Sequence, residues 1–507
     1  MKPSLATTLR APVAVGVLLL AIVAALAAGQ LVAGLVAPSS SPFLQVGDAV
    51  VRLAPAPVVE FAKSAFGTAD KPVLLVGIGV VLLLVAVGAG LASRRFATVG
   101  QVTVGVLGVL GIAATATNPT FAPTDLLAPV VAAGVGWWVF RELHRRAMEY
   151  TGSADGITRR RFLQATAVVG GLSVVGGGAG VLLGRPTIDS RAVVTARLAA
   201  ASVARETGAG TDFGLTPYVT PNADFYRIDT ALRVPQLRAE DWSLRIHGMV
   251  DRELTLTFDD LLARPLVERT VTLTCVSNDV GGDLISTARF VGVELADVLR
   301  AAGPRPGADQ VFSTSSDGWT AGTPTEVLLE PGRGALLAVG MNGEALPTEH
   351  GFPVRMVVPG LYGYVSATKW VTDLELTTFA ARESYWEQRG WGERGPIKTE
   401  ARIDLPRPFA AVPAGAVTVA GIAWSQPRGI SRVEYSVDGG PWAEAELADT
   451  VGGDTWRMWR GSVEVGAGSH TMRVRATDGT GALQTERAAD VLPDGATGWP
   501  AVIFTAR

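Results

Sequence analysis
Apolar residues crowd the first 184 positions and thin out beyond them. Five runs approach the roughly 20 residues that a helix needs to cross a bilayer core. They are Ala11–Ala37, Val73–Ala92, Ala97–Ala116, Leu126–Phe140 and Phe162–Gly184, the fourth being the shortest. Residues 1–184 therefore read as a membrane domain of five transmembrane helices. Residues 185–215, rich in Ala, Arg and Gly, read as a linker. From residue 216 the texture changes to short strands and turns. Trp242–Val250 and Leu254–Phe258 alternate as strands do. Asp259 and Asp260 follow at a helix start, where capping is a better account than a catalytic acid pair. Val293–Gly303 has apolar residues at helical spacing and a closing glycine. Residues 216–410 read as α+β, and residues 411–507 as an Ig-like β-sandwich, with alternating runs joined by Asp-Gly turns. The Trp residues of that last region belong to its core, and His470 at a strand start is structural.

Charge orients the spans. Lys2 and Arg10 precede the first, Arg94 and Arg95 follow the second, and Arg141, Arg145, Arg146 and Arg159 to Arg161 lie between the fourth and fifth. The loop at 117–125 has no Lys or Arg, and the loop at 38–72 balances Arg52, Lys63 and Lys71 against Asp48, Glu60 and Asp70. With five spans the basic loops share one side, so the N-terminus is cytoplasmic and everything after 185 lies outside. The net charge of −3 and the absence of a basic block exclude nucleic acid as a partner. No span holds a histidine pair, which argues against a membrane haem; His144 reads as a loop residue. The glycines of "GGGAG" at 176–180 allow close helix packing. "TRRRFLQATAVVGG" at 158–171 resembles a twin-arginine export signal, a route for folded cargo, although an ordinary basic flank has the same composition.

The chain has one cysteine, so it forms no internal disulfide. Cys275 ends a strand-like run in "TLTCVSNDVGG", and Ser277, Asn278 and Asp279 argue against a dry core around it. It could be a nucleophile with His350 as base. It could equally give a thiolate to a metal whose other ligands come from a cofactor. Too few Cys and His exist for a tetrahedral zinc site. In "MNGEALPTEHGFPVRMVVPG" (341–360), His350 and Arg355 flank a Gly-Pro turn, and Arg355 can grip a phosphate through two donors. "GLYGYVSATKW" (360–370) adds Tyr362, Tyr364, Ser366 and Lys369. Together these suggest an anion-binding wall facing the cysteine.

These pieces, with "DFYRIDTALRVP", "SSDGWTAGTP" and "VAGIAWSQPRGISRVEYSVDGG", resemble the sulfite oxidase family over residues 216–505. The resemblance implies an α+β sulfite-oxidase-like molybdopterin domain and a C-terminal Ig-like β-sandwich of the dimerisation type; the N-terminal transmembrane helices lie outside it. It implies a molybdenum–molybdopterin cofactor with Cys275 as the protein's ligand to the metal. His350, Arg355 and Lys369 would hold the pterin phosphate, with Ser366 and Asn278 completing the cofactor-binding set. Arg227 matches the family's anion-binding arginine.

The departures concern substrate. Val339 and Gly340 stand where sulfite oxidases carry a tyrosine near the metal, Asp279 follows Asn278 in place of arginine, and Asp229 replaces the His of the usual "RNH". Each donor lost from a dry anion site costs roughly 1–3 kcal/mol of binding. Sulfite then fits poorly, and the Val-Gly pair and "LYGY" turn look more like the periplasmic protein-methionine-sulfoxide reductase branch. The expectation is a membrane-anchored extracytoplasmic oxidoreductase transferring an oxygen atom to or from a sulfoxide or other small oxo compound. Alternatives are sulfite oxidation proper, a cofactor-free binding protein on the same scaffold, and a cysteine hydrolase. With no CxxCH and no cysteine cluster, electrons must pass to an electron-transfer partner or a quinone. A homodimer is a further expectation.

Overall fold
In the computed structural model the chain divides into two units, Met1–Ile188 with Thr230–Arg233, and Asp189–Asp229 with Val234–Arg507. The structure describes residues 8–55, 58, 61–62, 65–66, 69–152, 156–183, 190–206, 210–214 and 216–507. Lys2, Glu60 and Lys63, and residues 184–189, 207–209 and 215 of the fifth run and expected linker, lie outside them.

The first unit contains α1 (Ala11–Val36), α2 (Pro42–Leu53), α3 (Asp70–Ala92), α4 (Ala97–Ala116), α5 (Leu127–Gly152) and α6 (Gly156–Leu183). Five of these, all but α2, are long and apolar enough to cross a bilayer. The hydrophobic pattern cuts the fourth span short. Its helix continues past Phe140 because Arg145 and Arg146 pair with Glu142, and Arg145 with Glu149, across successive turns. His144 is therefore not in a loop. It sits on α5, buried, with Nε2 2.9 Å from the Ser93 carbonyl oxygen. The "GGGAG" glycines do pack helices together. A Cβ on Gly34 of α1 would lie 2.3 Å from the Gly180 carbonyl oxygen of α6, and one on Gly180 would lie 2.4 Å from that of Gln30.

In the second unit the expected linker contains α7 (Ser190–Ala200). Val194 and Leu198 lie one turn apart and give this Ala- and Arg-rich segment an apolar stripe; Val194 is 1% exposed. Thr195 Oγ1 accepts from the Ala345 amide at 3.0 Å, which ties the helix to the sheet beneath it. The strands that follow are β1 (Val203–Ala204), β2 (Ser243–Gly248), β3 (Leu254–Thr257), β4 (Leu266–Thr274), β5 (Ile285–Glu294), β6 (Gln310–Ser315), β7 (Thr320–Pro324), β8 (Leu336–Met341), β9 (Glu344–Ala345), β10 (Arg355–Val357) and β11 (Val371–Thr377). They form two mixed sheets, β1-β4-β5-β8-β10 with β9 on β8, and β3-β2-β11-β6-β7. Thr257 caps the helix Phe258–Leu262, and Asp260 returns a bond to the Thr257 amide, so the acids there are capping residues. Gly303, at φ 71°, ends the helix Leu295–Ala302.

The remaining strands are β12 (Glu400–Leu405), β13 (Ala411–Val412), β14 (Gly415–Trp424), β15 (Ile430–Val437), β16 (Ala443–Glu444), β17 (Glu446–Leu447), β18 (Arg457–Val465), β19 (Gly468–Asp478) and β20 (Ala501–Ala506). The sheets β12-β14-β18-β17 and β13-β20-β19-β15-β16 share a core that includes Val419 and Trp459 from one and Met472 and Phe504 from the other. That is the packing of a β-sandwich. Its first strand begins before residue 411: β12 pairs with β14, because Ala401 and Ile403 point into this core. The opposite side of the same strands, through Ile422, Trp424 and Met458, joins the core of the preceding sheets.

Candidate active site
Strand β4 runs buried through the sheet and delivers Cys275, 8% exposed, to its end. The chain then makes a closed loop back to β5. The Cys275 amide donates to the Leu284 carbonyl at 2.9 Å, the Asn278 amide donates to the Cys275 carbonyl at 3.1 Å, and Asn278 Oδ1 accepts from the Leu284 amide at 2.8 Å. A cysteine held this way has a fixed direction rather than a mobile tip. Asn278 is thus committed to building the loop, and its side-chain amide faces Glu400. Burial pushes the Glu400 carboxyl up to about 8, against the pull of Lys398 and Asn278.

Three of the expected cofactor-binding residues gather around Gly351. At φ 109° this residue favours glycine, and a Cβ there would sit 3.0 Å from Arg355 Cβ and 3.2 Å from Lys369 Cα. Arg355 is buried, donates to the carbonyls of His350 at 3.1 Å and Ala367 at 3.5 Å, and lies over the Phe290 ring. Among the described residues no carboxylate pairs with it, and burial pushes its guanidinium down to about 10. Lys369 donates to the Glu349 carbonyl at 3.0 Å; burial pushes it down to about 8 although Asp229 opposes this. His350 is 2% exposed, and burial with Lys369 and Arg355 nearby holds it at about 3, so its imidazole is neutral at pH 7. Its Nδ1 has no hydrogen-bond partner. A buried cation or donor left without a protein acceptor is costly, and an anionic ligand would relieve it.

A cavity of about 360 Å³ opens beside this group, lined by Asn222, Phe225, Arg227, Gln236, Thr348 and His350 among others. Arg227 donates to Asp229 at 2.8 Å, and Lys369 donates to the same carboxylate at 3.2 Å. Asp229 is almost wholly enclosed, at 6% side-chain exposure. Burial raises the Asp317 carboxyl, and the neighbouring charge of Asp229 adds to the effect.

Ser366 lies on the expected wall, but its hydroxyl donates to the Leu361 and Tyr362 carbonyls at 3.1 and 2.9 Å. Its proton serves the turn. The sequence reading missed Tyr226. Its phenol is 3.7 Å from where a Cβ on Gly363 would stand, beside the Thr274 carbonyl. Burial, and after it the nearby Cys275, raise its pKa while Arg355 opposes them, so the phenol stays protonated. The signal was available in the "FYR" triplet, where Arg227 drew the attention.

Residues 231–386 match the family described as oxidoreductase molybdopterin binding domain. The mitochondrial sulfite oxidase of Mus musculus is 32% identical over 326 residues, covering 54% of this chain and 58% of that one. The sulfite oxidase of Gallus gallus is 32% identical over 324 residues, covering 54% of this chain and 70% of that one. The chain thus spans little more than half the length of the mouse relative. The crystal structure of the sulfane dehydrogenase SoxCD from Paracoccus pantotrophus superposes with a TM-score of 0.51 at 23% identity, covering 58% of this chain and 84% of that one. The last likeness is one of fold.

Proposed function
The chain belongs to the sulfite oxidase family of molybdenum-cofactor oxidoreductases, and we propose that it is the membrane-anchored, extracytoplasmic member that transfers an oxygen atom on a small sulfur-oxo compound of low charge. It is a molybdenum-dependent oxidoreductase, and its cofactor is molybdenum–molybdopterin. The residues present fit that group. Molybdenum takes soft sulfur donors, and Cys275 is the one thiol of the chain. A pterin phosphate needs enclosed donors without competing carboxylates, and Arg355 answers that description. His350 Nδ1 and Ser316 Oγ are buried donors or acceptors without partners, as expected of atoms that meet a polar heterocycle or its phosphate. On this reading Cys275 ligates the metal, and Arg355, His350 and Lys369 hold the phosphate. Bound there, the group supplies a two-electron redox change coupled to the exchange of one oxygen atom.

The residues of this chain then do the rest. Arg227 at the cavity orients the substrate oxygen. Tyr226 offers a neutral proton donor beside the thiol. The observation that carries the choice of substrate is Asp229, which lies against both Arg227 and Lys369. An enclosed carboxylate there offsets positive charge that a dianion would need, whereas a neutral S-oxide needs only a donor. Sulfite oxidation is the second reading, favoured by Arg227 lining the cavity with 42% of its side chain exposed.

The membrane anchor rests on the five apolar helices and the one-sided distribution of their basic loops. Electrons would leave or enter through a partner protein or a quinone. The two C-terminal sheets support reading that region as an Ig-like sandwich of the kind that pairs two chains.

The test uses the full chain in detergent, made in a molybdopterin-competent host, beside Cys275→Ala. Molybdenum and pterin are measured, followed by turnover of methionine sulfoxide, dimethyl sulfoxide and sulfite. The expected outcome is one metal and one pterin per chain, metal loss in the variant, and S-oxide turnover exceeding sulfite turnover. Metal-loaded protein that turns over sulfite alone would overturn the choice of substrate. A folded chain that takes up neither metal nor pterin would overturn the whole reading.

A further inference from the structure
Where the C-terminal part of α5 and the N-terminal part of α6 approach each other, they do not close into a dry seam. Tyr150 stacks on Phe162 with ring centroids 5.8 Å apart and pins the two helices at that end. Next to it lies a hollow of about 300 Å³, lined by Trp138, Glu142 and Arg146 from α5 and by Arg161, Gln164 and Val168 from α6, among others. These positions repeat every three or four residues, so each trio is one stripe of its helix and the two stripes face each other. A second hollow of about 380 Å³ adjoins through Gln164 and is lined by Arg159, Arg160, Leu163 and Ala167.

Among the described residues here, positive charges outnumber negative ones. Glu142 is held by Arg145 and Arg146, and Glu149 by Arg145. Among the described residues no carboxylate pairs with Arg159, Arg160 or Arg161. Read as a span, α6 carries three guanidinium groups near its start, where a helix enters the headgroup layer, and the exposed Trp138 lines the same hollow as Arg161. A guanidinium at that depth gains from an anion that reaches it from the lipid side, and a phosphodiester fits its planar fork. The apolar wall of Leu163, Ala167 and Val168 offers an acyl chain a groove to follow.

We propose that the membrane unit holds an anionic phospholipid in this groove, with its phosphate on Arg161 and Arg160 and an acyl chain along α6 between Trp138 and Val168. The site rests on reading α5 and α6 as membrane-spanning and is independent of the chemistry at Cys275. It gives the basic segment at 158–161 a ligand within the bilayer.

The full-length holoprotein is delipidated in detergent and offered phosphatidylglycerol, phosphatidylcholine or inorganic phosphate, and lipid retention is read by native mass spectrometry. Phosphatidylglycerol is expected to bind at least about fivefold tighter than phosphatidylcholine, in line with one arginine's attraction for an anionic headgroup. Arg161→Gln should weaken phosphatidylglycerol about fivefold, Arg161→Lys should weaken it less, and Arg95→Gln, a basic change outside the groove, should leave it unchanged. Helical circular dichroism and a cooperative melt matching the parent report that each variant folds. Equal retention of the two lipids, or equal losses in Arg161→Gln and Arg95→Gln, would reduce the site to diffuse surface attraction and overturn it. Displacement of the lipid by inorganic phosphate at equal concentration would overturn it too, as a site for a free anion.

Discussion

The Lys369 ammonium lies 3.2 Å from the Asp229 carboxylate, deep enough that Asp229 exposes only 6% of its side chain. Arg227 shares that carboxylate. The candidate site therefore carries its own counter-ion. Charge that an anionic substrate would use is already partly spent inside the protein.

Asp229→Asn should invert the preference for substrate. Removing the carboxylate leaves Arg227 and Lys369 uncompensated, and turnover of sulfite relative to an S-oxide should rise about tenfold, one pKa unit's worth of interaction. The pH profile supplies the check. In the cofactor-free chain Lys369, held at about 8, is charged below that pH and neutral above it, so binding of an anion there is present on the acid side and fades as pH rises through about 8. Asp229 raises that value in the native chain, so the variant's limb should move to lower pH. If kcat/KM changes equally for both substrates, Asp229 does not select on charge.

Tyr226→Phe removes a single hydroxyl that feels the charges of both Cys275 and Arg355. Its kcat should fall by about tenfold to a hundredfold, the range for a lost proton donor. Molybdenum and pterin content should match the parent, because the ring remains to fill the space. Full activity in the variant would show the phenol to be packing alone.

His350 should make the cofactor-free fold acid-sensitive. Its native value of about 3 lies below the ordinary 6.5, so between those values the unfolded chain takes up a proton that the native one refuses. Stability from this residue is whole above about 6.5 and is lost as pH falls towards 3. Urea unfolding of His350→Gln beside the parent should show the variant gaining on the order of 2 kcal/mol relative to it between pH 7 and pH 5. Parallel curves would mean that the imidazole accepts its proton in place.

Glu400 has the opposite sign. Its carboxyl, raised to about 8 from 4.5, stays protonated in the fold while the unfolded chain ionises. Its contribution therefore declines as pH climbs from about 4.5 to about 8. Glu400→Gln keeps the shape without the titration and should gain on the order of 2–4 kcal/mol over the parent at pH 8 compared with pH 5. A constant difference between the two denaturation curves would rule out a buried neutral acid.

Much of this arrangement was legible in the chain. His350, Arg355 and Lys369, which lie close in sequence, also gather around Gly351 in the fold. Ser366 and the side-chain carbonyl oxygen of Asn278 are taken up by backbone bonds that a sequence does not show, while the buried Asn278 Nδ2 has no partner. Tyr226 and Glu400 come from segments far from Cys275 in sequence, and only the fold brings the first near Cys275 and the second to Asn278. In the first unit the helix boundaries departed from hydropathy most on α5, where Glu142, Arg145 and Arg146 look like loop residues but tie helical turns, and on α6, which begins at Gly156 and so takes in Arg159 to Arg161. The segment of α7 looked like a linker for its Ala and Arg content, although both residues favour helix.

The contact between Gly34 and Gly180 has a temporal side. Helix α1 packs against α3, α5 and α6, and backbone meets backbone where it crosses α6. During synthesis α1 is the first of these helices to be made and α6 the last. Until α6 is in place, the Gly34 face of α1 has only lipid or a chaperone for company. A chain halted between α5 and α6 would hold most of its membrane helices and still lack the one that completes the packing around α1.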